Sequence, residues 1–600
     1  MKQKVRKKLQ NLKKYYRENG FGKFLKHLAA KLLKLEERQY QQWRNAHCPT
    51  EQELQRQRAQ RFEHETVFSI LVPLYRTPEH YLKELVESVR KQSYEKWELC
   101  FSDGSGQGNM DHAWLEEMMK EDSRIKLSVS EKPLQISENT NQALKLASGE
   151  FLVFADHDDL LAPDALYECA KAIDRETETD VLYTDEDKVS MDGKTYFQPH
   201  FKSDFNPDLL RSMNYICHLF VVRKTLQEKV GGLDPAYNGA QDYDFVLRCT
   251  EKARIICHIP KILYHWRAHR DSTSENPESK LYAFEAGKRA VQAHLERCGA
   301  DADAETGESL GLYRVHYSVK TEPLISIILP SQDHTEALLR CIRSFYEVSG
   351  YRNIEILIVE NHSKKEKTFE FYEKIQKKHK EVQVVTRKEK ENAGVSELYN
   401  FGASKASGTY LLFFNRDVEI LTPDTLQEMA GYALRDEIGA VGAKVYDADG
   451  CICHGGIVLG VYGSAGHAFQ GASHHAEGYF SRLFCAQEYS AVSDGILVSK
   501  ELFDEVGGFD VNMDAAFCEI DLCMKIREQD KLVVYTPYAE FQLRQGTKDS
   551  KAPGEAKKSE QWDENSRYFA KKWSKVLQQG DPYYNCNLTL EKSDFSVKNC

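Results

Sequence analysis

The 600-residue sequence lacks the long apolar run that a membrane-spanning helix requires, and its longest apolar stretches are short and strand-like, as at residues 410–414. Its N-terminus is also basic over too long a stretch to be a secretory signal peptide. We therefore expect a chain that stays in the reducing cytoplasm. Because no apolar run is long enough to span a membrane, an integral polysaccharide synthase that forms its own pore is excluded.

The sequence also lacks a metal-binding cysteine pattern, and its net charge is negative. None of the 15 cysteines belongs to a C-x-x-C pair, and the nearest approach to a metal cluster is Cys451, Cys453 and His454. The formal net charge is -11, whereas a nucleic-acid binder needs a basic surface to neutralise phosphates. We therefore predict no nucleic-acid partner, and any basic region must be local.

One such basic region occupies residues 1–35, where Glu18 is the single acid among many lysines and arginines. Apolar residues recur in it at helical spacing: Phe21, Leu25, Leu28, Leu32 and Leu35. An apolar stripe flanked by lysines predicts a helix that lies on an anionic membrane surface. The alternative is a helix docked on the first domain with its lysines in solvent. Residues 36–65 are predicted as a helical linker, so that 1–65 form an N-terminal helical arm.

The rest of the sequence contains a repeat. FSILVP at 68–73 returns as ISIILP at 325–330, and ELCFSD at 98–103 returns as EILIVE at 355–360. ASGEFLVFADHD at 147–158 then matches ASGTYLLFFNRD at 406–417, and VGGLD at 230–234 matches VGGFD at 506–510. Four landmarks in one order indicate a duplicated domain. We place the copies at 66–310 and 311–560, with a C-terminal helix and extended tail at 561–600.

Apolar strands alternate with amphipathic helices in both copies, which predicts an α/β fold with a mainly parallel sheet. Ligands bind such sheets at the carboxyl ends of the strands, where Asp103, Asp156 and Asp158 fall. Asp103 in a Ser-Asp-Gly-Ser turn suits a base N–H, although the turn alone is ordinary. The carboxylates of Asp156, Asp158 and Asp159 would repel one another without a cation, which predicts Mn²⁺ or Mg²⁺ bound with a diphosphate. Asp159 by itself also fits a helix N-cap.

These motifs, together with Gln241-Asp242-Tyr243-Asp244, resemble family 2 glycosyltransferases, twice over. The resemblance implies two tandem GT-A domains, which are Rossmann-like. In the first it implies that Asp242 deprotonates the acceptor hydroxyl in an inverting displacement. It further implies a donor site at Pro73, Tyr75, Asp103 and Asp156, and a metal site at Asp156, Asp158, His265 and His269.

The second copy changes several of these positions. The resemblance implies that Glu360 and Asn415 bind the donor, that Asp417 binds the metal, and that Arg544 holds phosphate where relatives carry histidine. Two acids compete for the role of base, Glu519 and Asp521. The second domain is therefore either active or a degenerate domain that binds saccharide or supports the first.

The tail at 568–585 looks like the ending of two-domain bacterial surface-polysaccharide transferases. This implies an enzyme that moves sugar from a nucleotide-sugar donor to a lipid-linked or growing polysaccharide, in the cytoplasm and peripheral on the inner face of the cell membrane. A sugar nucleotidyltransferase is disfavoured, because residues 73–77 lack the glycine-rich loop that holds a triphosphate. A non-enzymatic saccharide-binding protein suits the second domain better than the first.

Overall fold

The computed structural model describes residues 35–268, 281–387, 393–513, 516–544 and 560–599. The chain divides into two compact units, one built mainly from residues 34–315 and the other mainly from residues 316–596. No helix among the described residues combines the length and the apolar character needed to cross a bilayer.

The first unit is built around a nine-stranded sheet with the order β3-β2-β1-β4-β8-β6-β9-β5, and β7 pairs with β6. The strands up to the end of the unit are β1 Phe68–Leu74, β2 Trp97–Asp103, β3 Ile125–Val129, β4 Phe151–Phe154, β5 Leu160–Leu161, β6 Thr179–Val189, β7 Tyr196–His200, β8 Phe220–Arg223, β9 Ile255–Arg267, and the separate pair β10 Ala302–Thr306 and β11 Tyr313–Tyr317. The helices of this part are α1 Leu35–His47, α2 Glu51–Ala59, α3 Glu79–Arg90, α4 Ala113–Glu121, α5 Ile136–Leu146, α6 Ala165–Arg175, α7 Pro207–Ser212, α8 Lys224–Val230, α9 Gln241–Thr250 and α10 Leu281–Arg297.

The second unit contains a ten-stranded sheet in which eight strands have the order β14-β13-β12-β15-β22-β17-β23-β16, while β18 pairs with β17 and β21 pairs with β23. Its strands are β12 Ile325–Ser331, β13 Ile354–Glu360, β14 Val382–Thr386, β15 Tyr410–Phe413, β16 Val418–Ile420, β17 Ile438–Tyr446, β18 Ile452–His454, β19 Ile457–Leu459, β20 Ala465–His467, β21 Gln487–Glu488, β22 Ile496–Ser499 and β23 Leu532–Leu543. Its helices are α11 Thr335–Glu347, α12 Glu366–Lys378, α13 Val395–Lys405, α14 Thr425–Ala433, α15 Lys500–Glu505, α16 Ala516–Arg527, α17 Glu560–Lys572 and α18 Ser574–Gln579.

Position by position, the two sheets follow the same path, with β12 in the place of β1 and β23 in the place of β9. In each, four neighbouring strands are parallel, while the strand after them, β8 or β22, runs antiparallel. The predicted pair of α/β domains is confirmed. The antiparallel insertion was not predicted, because periodicity shows that a strand exists but not its direction.

A buried glutamate joins the first strands of each sheet. Glu98, at the start of β2, accepts hydrogen bonds from the Ser69 hydroxyl on β1 at 2.7 Å and from the Ser148 backbone N–H before β4 at 2.5 Å. Lys126 Nζ on β3 lies 2.6 Å from the same carboxylate. Although burial acts to raise it, the pKa of Glu98 falls from its ordinary 4.5 to about 2, because Lys126, Ser148 and Ser69 stabilise the charged form. We call this set the glutamate clamp of the first domain.

The second domain repeats the clamp. Glu355 Oε1 accepts from the Ser326 hydroxyl and from the Ser407 backbone N–H, and Glu355 Oε2 accepts from the Ser407 hydroxyl at 2.7 Å. The next residue must be glycine, because a Cβ on Gly408 would lie 2.7 Å from the Leu324 carbonyl oxygen. The repeated Ala-Ser-Gly therefore records a close packing of the turn before β15 against β12.

We expect Glu98→Gln to lower the free energy of unfolding by about 2 kcal/mol at neutral pH, because it removes charge-assisted hydrogen bonds from a buried site. Since the clamp depresses the pKa of Glu98, its stabilisation is present above about 4.5 and is lost as the pH falls toward about 2. Urea unfolding of the wild type and of Glu98→Gln should show that the difference in their free energies of unfolding becomes smaller as the pH falls from about 4.5 toward about 2. The exposed Glu95→Gln is the matched control, and an equal loss there would contradict the role of the clamp.

Candidate active site

The carboxyl ends of the first strands bring the predicted acids to one edge of the first sheet. Parallel pairing sets Leu74 opposite Asp103 and Leu71 opposite Phe154, two residues before Asp156. Strand β8 pairs antiparallel with β4 and begins opposite Phe154, so the residues just before β8 reach the same edge. The sequence prediction that Asp103 and Asp156 share an edge agrees with this placement.

His218, which immediately precedes Leu219 and strand β8, lies among these acids. Its Nε2 is 3.6 Å from Asp156 Oδ2, and its ring stacks on Tyr264 at a centroid distance of 4.6 Å. Burial disfavours the charged imidazolium, but Cys217 and Asp156 outweigh it and hold the pKa of His218 well above its usual value. His218 is thus a cation beside a carboxylate whose own pKa it lowers against the effect of burial.

Asp242 lies in the first turn of α9 and completes this group. Its Oδ2 accepts a hydrogen bond from Asn214 Nδ2 at 3.0 Å. Burial raises the pKa of Asp242, and the positive charge of His218 opposes that rise. Asp156, His218 and Asp242 therefore influence one another electrostatically, although they come from three separate segments. We call them the first-domain acid cluster.

Asp159 has a structural position instead. It is 1% exposed and accepts hydrogen bonds from the Tyr264 hydroxyl and from the Arg267 backbone N–H, both at 2.7 Å. Burial and then the charges of Asp158 and Asp156 raise its pKa well above the usual range. Asp159 therefore joins the loop after β4 to the end of β9.

His265 does not join the acid cluster. Side chains alternate along a strand, so Tyr264 and Trp266 face His218 while His265 points to the other face of the sheet. There its Nδ1 lies 2.5 Å from Asp187 Oδ1, and Asp187 also accepts a hydrogen bond from the Tyr40 hydroxyl of α1. His269, the other predicted metal ligand on this segment, lies outside the described residues.

Three of the predicted donor residues, Pro73, Tyr75 and Asp103, lie at the ends of the neighbouring strands β1 and β2. Asp103 Oδ1 accepts from the Ser105 backbone N–H at 2.8 Å, and its Oδ2 is 2.8 Å from His112 Nε2. Tyr75, directly after β1, is 47% exposed, and Pro73 pairs with Ser102 inside the sheet. The fully buried Asp103 is therefore held in place, with an exposed aromatic ring on the neighbouring strand end.

The possible metal-ligand atoms at the first-domain acid cluster suit a hard divalent cation. Ligand atoms of Asp156, Asp159 and His218 lie within 4.8 Å of one another, and His218 Nδ1 is buried without a hydrogen-bond partner. Asp158 follows in the same loop with its side chain 22% exposed. Carboxylate oxygens suit Mn²⁺ or Mg²⁺, whereas His218 can join them as a ligand only in its neutral form. Because Asp159 is already bonded to Tyr264 and Arg267, Asp156 and Asp158 are the better carboxylate candidates.

In the second domain, Glu360 takes the place of Asp103 and accepts from the Tyr372 hydroxyl at 2.5 Å and from the Ser363 hydroxyl at 2.9 Å. Asn415 Oδ1 accepts from the Asp417 backbone N–H at 3.0 Å. The Asp417 side chain is 15% exposed, beside Arg416. These residues hold the same strand ends as in the first domain but carry less negative charge.

Arg544 follows β23 and lies near the same loop. Its backbone N–H donates to the Asp417 carbonyl oxygen at 3.0 Å, and its Nε donates to Glu419 Oε2 at 3.2 Å. Its guanidinium is thus paired with a carboxylate, and its side chain is 46% exposed.

The structure separates the two acids that compete on α16. Glu519 Oε2 accepts from the backbone N–H of Asp494, which occupies the position of His218 just before strand β22. Burial, and then the charge of Asp494, raises the pKa of Glu519 to about 8. Asp521 points elsewhere: it is fully buried, accepts the Trp573 indole N–H at 2.8 Å and is 2.8 Å from Lys572 Nζ. Glu519 therefore faces the strand ends, while Asp521 holds the C-terminal helix α17.

Sequence reasoning did not identify His218 or Asp494. Each is a polar residue two positions before an apolar strand, at matching positions of the repeat. Aligning the two Val-Gly-Gly landmarks puts His218 opposite Asp494, so the sequence marks both positions as polar. Only the antiparallel direction of β8 and β22 shows that these residues reach the site.

We expect Asp521→Asn to lower the unfolding free energy by about 2 kcal/mol, because it removes the buried one of the two carboxylates that pair with Lys572, the other being Asp510. Glu519→Gln should change stability little, since a carboxyl with a pKa of about 8 is mostly protonated at neutral pH and glutamine resembles it. Thermal unfolding of the two variants distinguishes these roles. Equal destabilisation would show that Glu519 is also a structural anchor.

Comparisons with known proteins agree with the repeat. A family model described as glycosyl transferase family 2 matches residues 69–231 and 326–456. The protein y4gI of Sinorhizobium fredii is 37% identical over 540 residues, which are 89% of this chain and 59% of that protein. The O-antigen biosynthesis protein RfbC of Myxococcus xanthus is 31% identical over 564 residues, 93% of this chain and 43% of that protein.

A shorter similarity involves the Escherichia coli UDP-Glc:alpha-D-GlcNAc-diphosphoundecaprenol beta-1,3-glucosyltransferase WfgD, which is 40% identical over 92 residues, 15% of this chain and 35% of that enzyme. The chain thus spans 59% and 43% of the length of its two long relatives. Each matched region begins within the first strand of its sheet, β1 or β12. The chain therefore belongs to glycosyl transferase family 2 and carries two domains of that family in tandem.

Proposed function

We propose that this chain transfers a sugar from a nucleotide-sugar donor to a lipid-linked saccharide or growing polysaccharide of the bacterial surface. The observation that carries the proposal is the first-domain acid cluster, Asp156, His218 and Asp242, at the strand edge that also holds Asp103. Two relatives support the substrate class, since one is named for O-antigen biosynthesis and the other for a diphosphoundecaprenol acceptor.

Asp242 is the proposed base of the first domain. Burial raises its pKa, so its carboxylate binds a proton more readily than an exposed aspartate does. Asn214 holds Oδ2 at 3.0 Å and fixes the direction of the carboxylate. In an inverting displacement, this carboxylate takes the proton of the acceptor hydroxyl as the hydroxyl oxygen attacks the anomeric carbon and the nucleoside diphosphate leaves.

The donor is proposed to bind across the strand ends. Asp103 accepts a hydrogen bond from the nucleotide base, with Pro73 and Tyr75 beside it, while Asp156 and Asp158 would hold Mn²⁺ or Mg²⁺. The cation supplies Lewis acidity toward the diphosphate. Charged His218 is not a metal ligand; it carries a proton on the unpartnered Nδ1, and its positive charge lies close to where the leaving group gains negative charge.

For the second domain we propose Glu519 as the base, acting in its ionised form, whose affinity for a proton is increased by the raised pKa. Glu360, Asn415, Asp417 and Arg544 are proposed on the donor side. The alternative function, in which only the first domain is catalytic, is favoured by the neutral Asn415 in place of Asp156. We further propose that residues 1–35 hold the chain peripherally on the anionic inner face of the cell membrane, as their charge and apolar stripe predict.

Asp158→Ala and Asp242→Asn test the roles in the first domain. Measured in a Glu519→Gln background, where transfer depends on the first domain, both should reduce transfer at least a hundredfold, a typical loss for a missing general base or electrostatic contact. Only Asp158→Ala should also weaken donor binding, which isothermal titration with a panel of UDP-, dTDP- and GDP-sugars in Mn²⁺ measures. EDTA should reproduce that weakening in the wild type.

The exposed Asp303→Asn is the control for charge loss alone. Equal loss of donor affinity in Asp158→Ala and Asp242→Asn would contradict the division of roles. Full transfer by Asp242→Asn on an acceptor that the wild type uses would show that this residue is not the base.

Deletion of residues 1–35 should release the chain from vesicles that contain phosphatidylglycerol, while transfer to a soluble acceptor continues. High salt should have the same effect, because it screens the attraction between lysines and anionic lipid. Co-sedimentation with these vesicles and with pure phosphatidylcholine vesicles measures the binding. If the truncated chain sediments as fully as the intact one, the arm is not the anchor.

A further inference from the structure

Two buried histidines lie beside the strand ends of the second domain. His454 ends β18 and is fully buried, and His467 ends β20 and is partly buried. Their Nδ1 atoms are 3.2 Å apart. Strand β20 belongs to the two-stranded sheet β19-β20, which stands outside the path that the two large sheets share.

Hydrogen bonds fix the positions of the protons on this pair. The backbone N–H of Ser493 lies 3.3 Å from His454 Nε2, and since a backbone N–H only donates, Nε2 is the acceptor. The proton of a neutral His454 is then on Nδ1, directed at His467 Nδ1, with the Ser493 hydroxyl at 3.4 Å as a second acceptor. His467 consequently accepts through Nδ1 and carries its own proton on Nε2.

Both rings are held in the neutral form. Burial, and then the neighbouring His467, lowers the pKa of His454 well below its usual value. Burial also lowers the pKa of His467, against the opposing charge of Asp494. Neutral histidine with a fixed tautomer is a hydrogen-bond donor that adds no positive charge.

This donor lies next to the residues that replace the first-domain acid cluster. Ser493, which bonds to His454, is followed by Asp494, two residues before the start of β22. Because β22 begins opposite Phe413, Asp494 and Asn415 extend from the same end of the paired strands. The Asp494 backbone N–H bonds to Glu519. Asp494 stands where the first domain has His218, and Asn415 stands where it has Asp156. The histidine of the second domain comes from β20 as His467.

We propose that His467, Asp494 and Glu519 form a saccharide subsite in the second domain, in which His467 Nε2–H donates to a sugar hydroxyl oxygen. A neutral N–H donor beside carboxyl groups matches a hydroxyl, which both accepts and donates. The proposal rests on the proposed function, since it assigns a part of the second domain to the acceptor saccharide. His454 is a positioning residue that keeps the donor proton on Nε2 of its neighbour.

The test compares His467→Gln, which retains an N–H donor, with His467→Met, which has none. Both are made in an Asp242→Asn background, where transfer depends on the second domain, and in a Glu519→Gln background, where it depends on the first. In the Asp242→Asn background, His467→Met should raise the acceptor KM about tenfold and His467→Gln at most about threefold, as expected for one neutral hydrogen bond. In the Glu519→Gln background, neither should change KM, and melting curves check folding.

Equal effects in both backgrounds, or equal effects of glutamine and methionine, overturn the subsite. No transfer in the Asp242→Asn background overturns it too, while transfer that persists with Glu519→Gln leaves the proposed function standing. Nitrogen-15 NMR of histidine-labelled full chain, assigned with His467→Gln, reports the tautomer directly. Protonated Nε2 and bare Nδ1 on His467 at neutral pH support the proposal, and the opposite tautomer or the imidazolium overturns it.

Discussion

A buried carboxylate at the start of the second strand is the constraint on which each domain depends. Glu98 and Glu355 are removed from water, so each must be satisfied by groups on the neighbouring chain segments. The serine on the first strand and the Ser-Gly turn before the fourth supply those groups in both domains. The clamp thus fixes the register of three strands at one end, and the carboxyl ends of these strands carry the polar residues of the site.

The sequence contains much of this arrangement in local form. Apolar runs, the turn that follows each one and the repeat of whole landmarks are read from neighbouring residues, which is why the two α/β domains and the edge with Asp103 and Asp156 are predictable. His218 is not, because its place depends on the antiparallel direction of β8. The position of His265 depends on the phase of β9, where a shift by one residue exchanges the two faces of the sheet.

The two acids on α16 illustrate the same limit on a helix. Residues two apart point to opposite sides of a helix, so Glu519 and Asp521 cannot share a role. Which of them faces the strand ends is decided by tertiary contacts, namely the bond from the Asp494 backbone and the bond from the Trp573 indole. Duplication therefore preserved the sheet path and the clamp, while the polar groups at the strand ends changed place between segments.

The contact between Tyr40 and Asp187 has a mechanical consequence. Tyr40 lies in the first described helix, is 2% exposed, and donates to a carboxylate on β6 that also holds His265 on β9. Arg44 of the same helix stacks over the Tyr196 ring at 3.5 Å. A pull on the start of this helix is therefore transmitted through buried side chains to strands β6 and β9 of the first sheet.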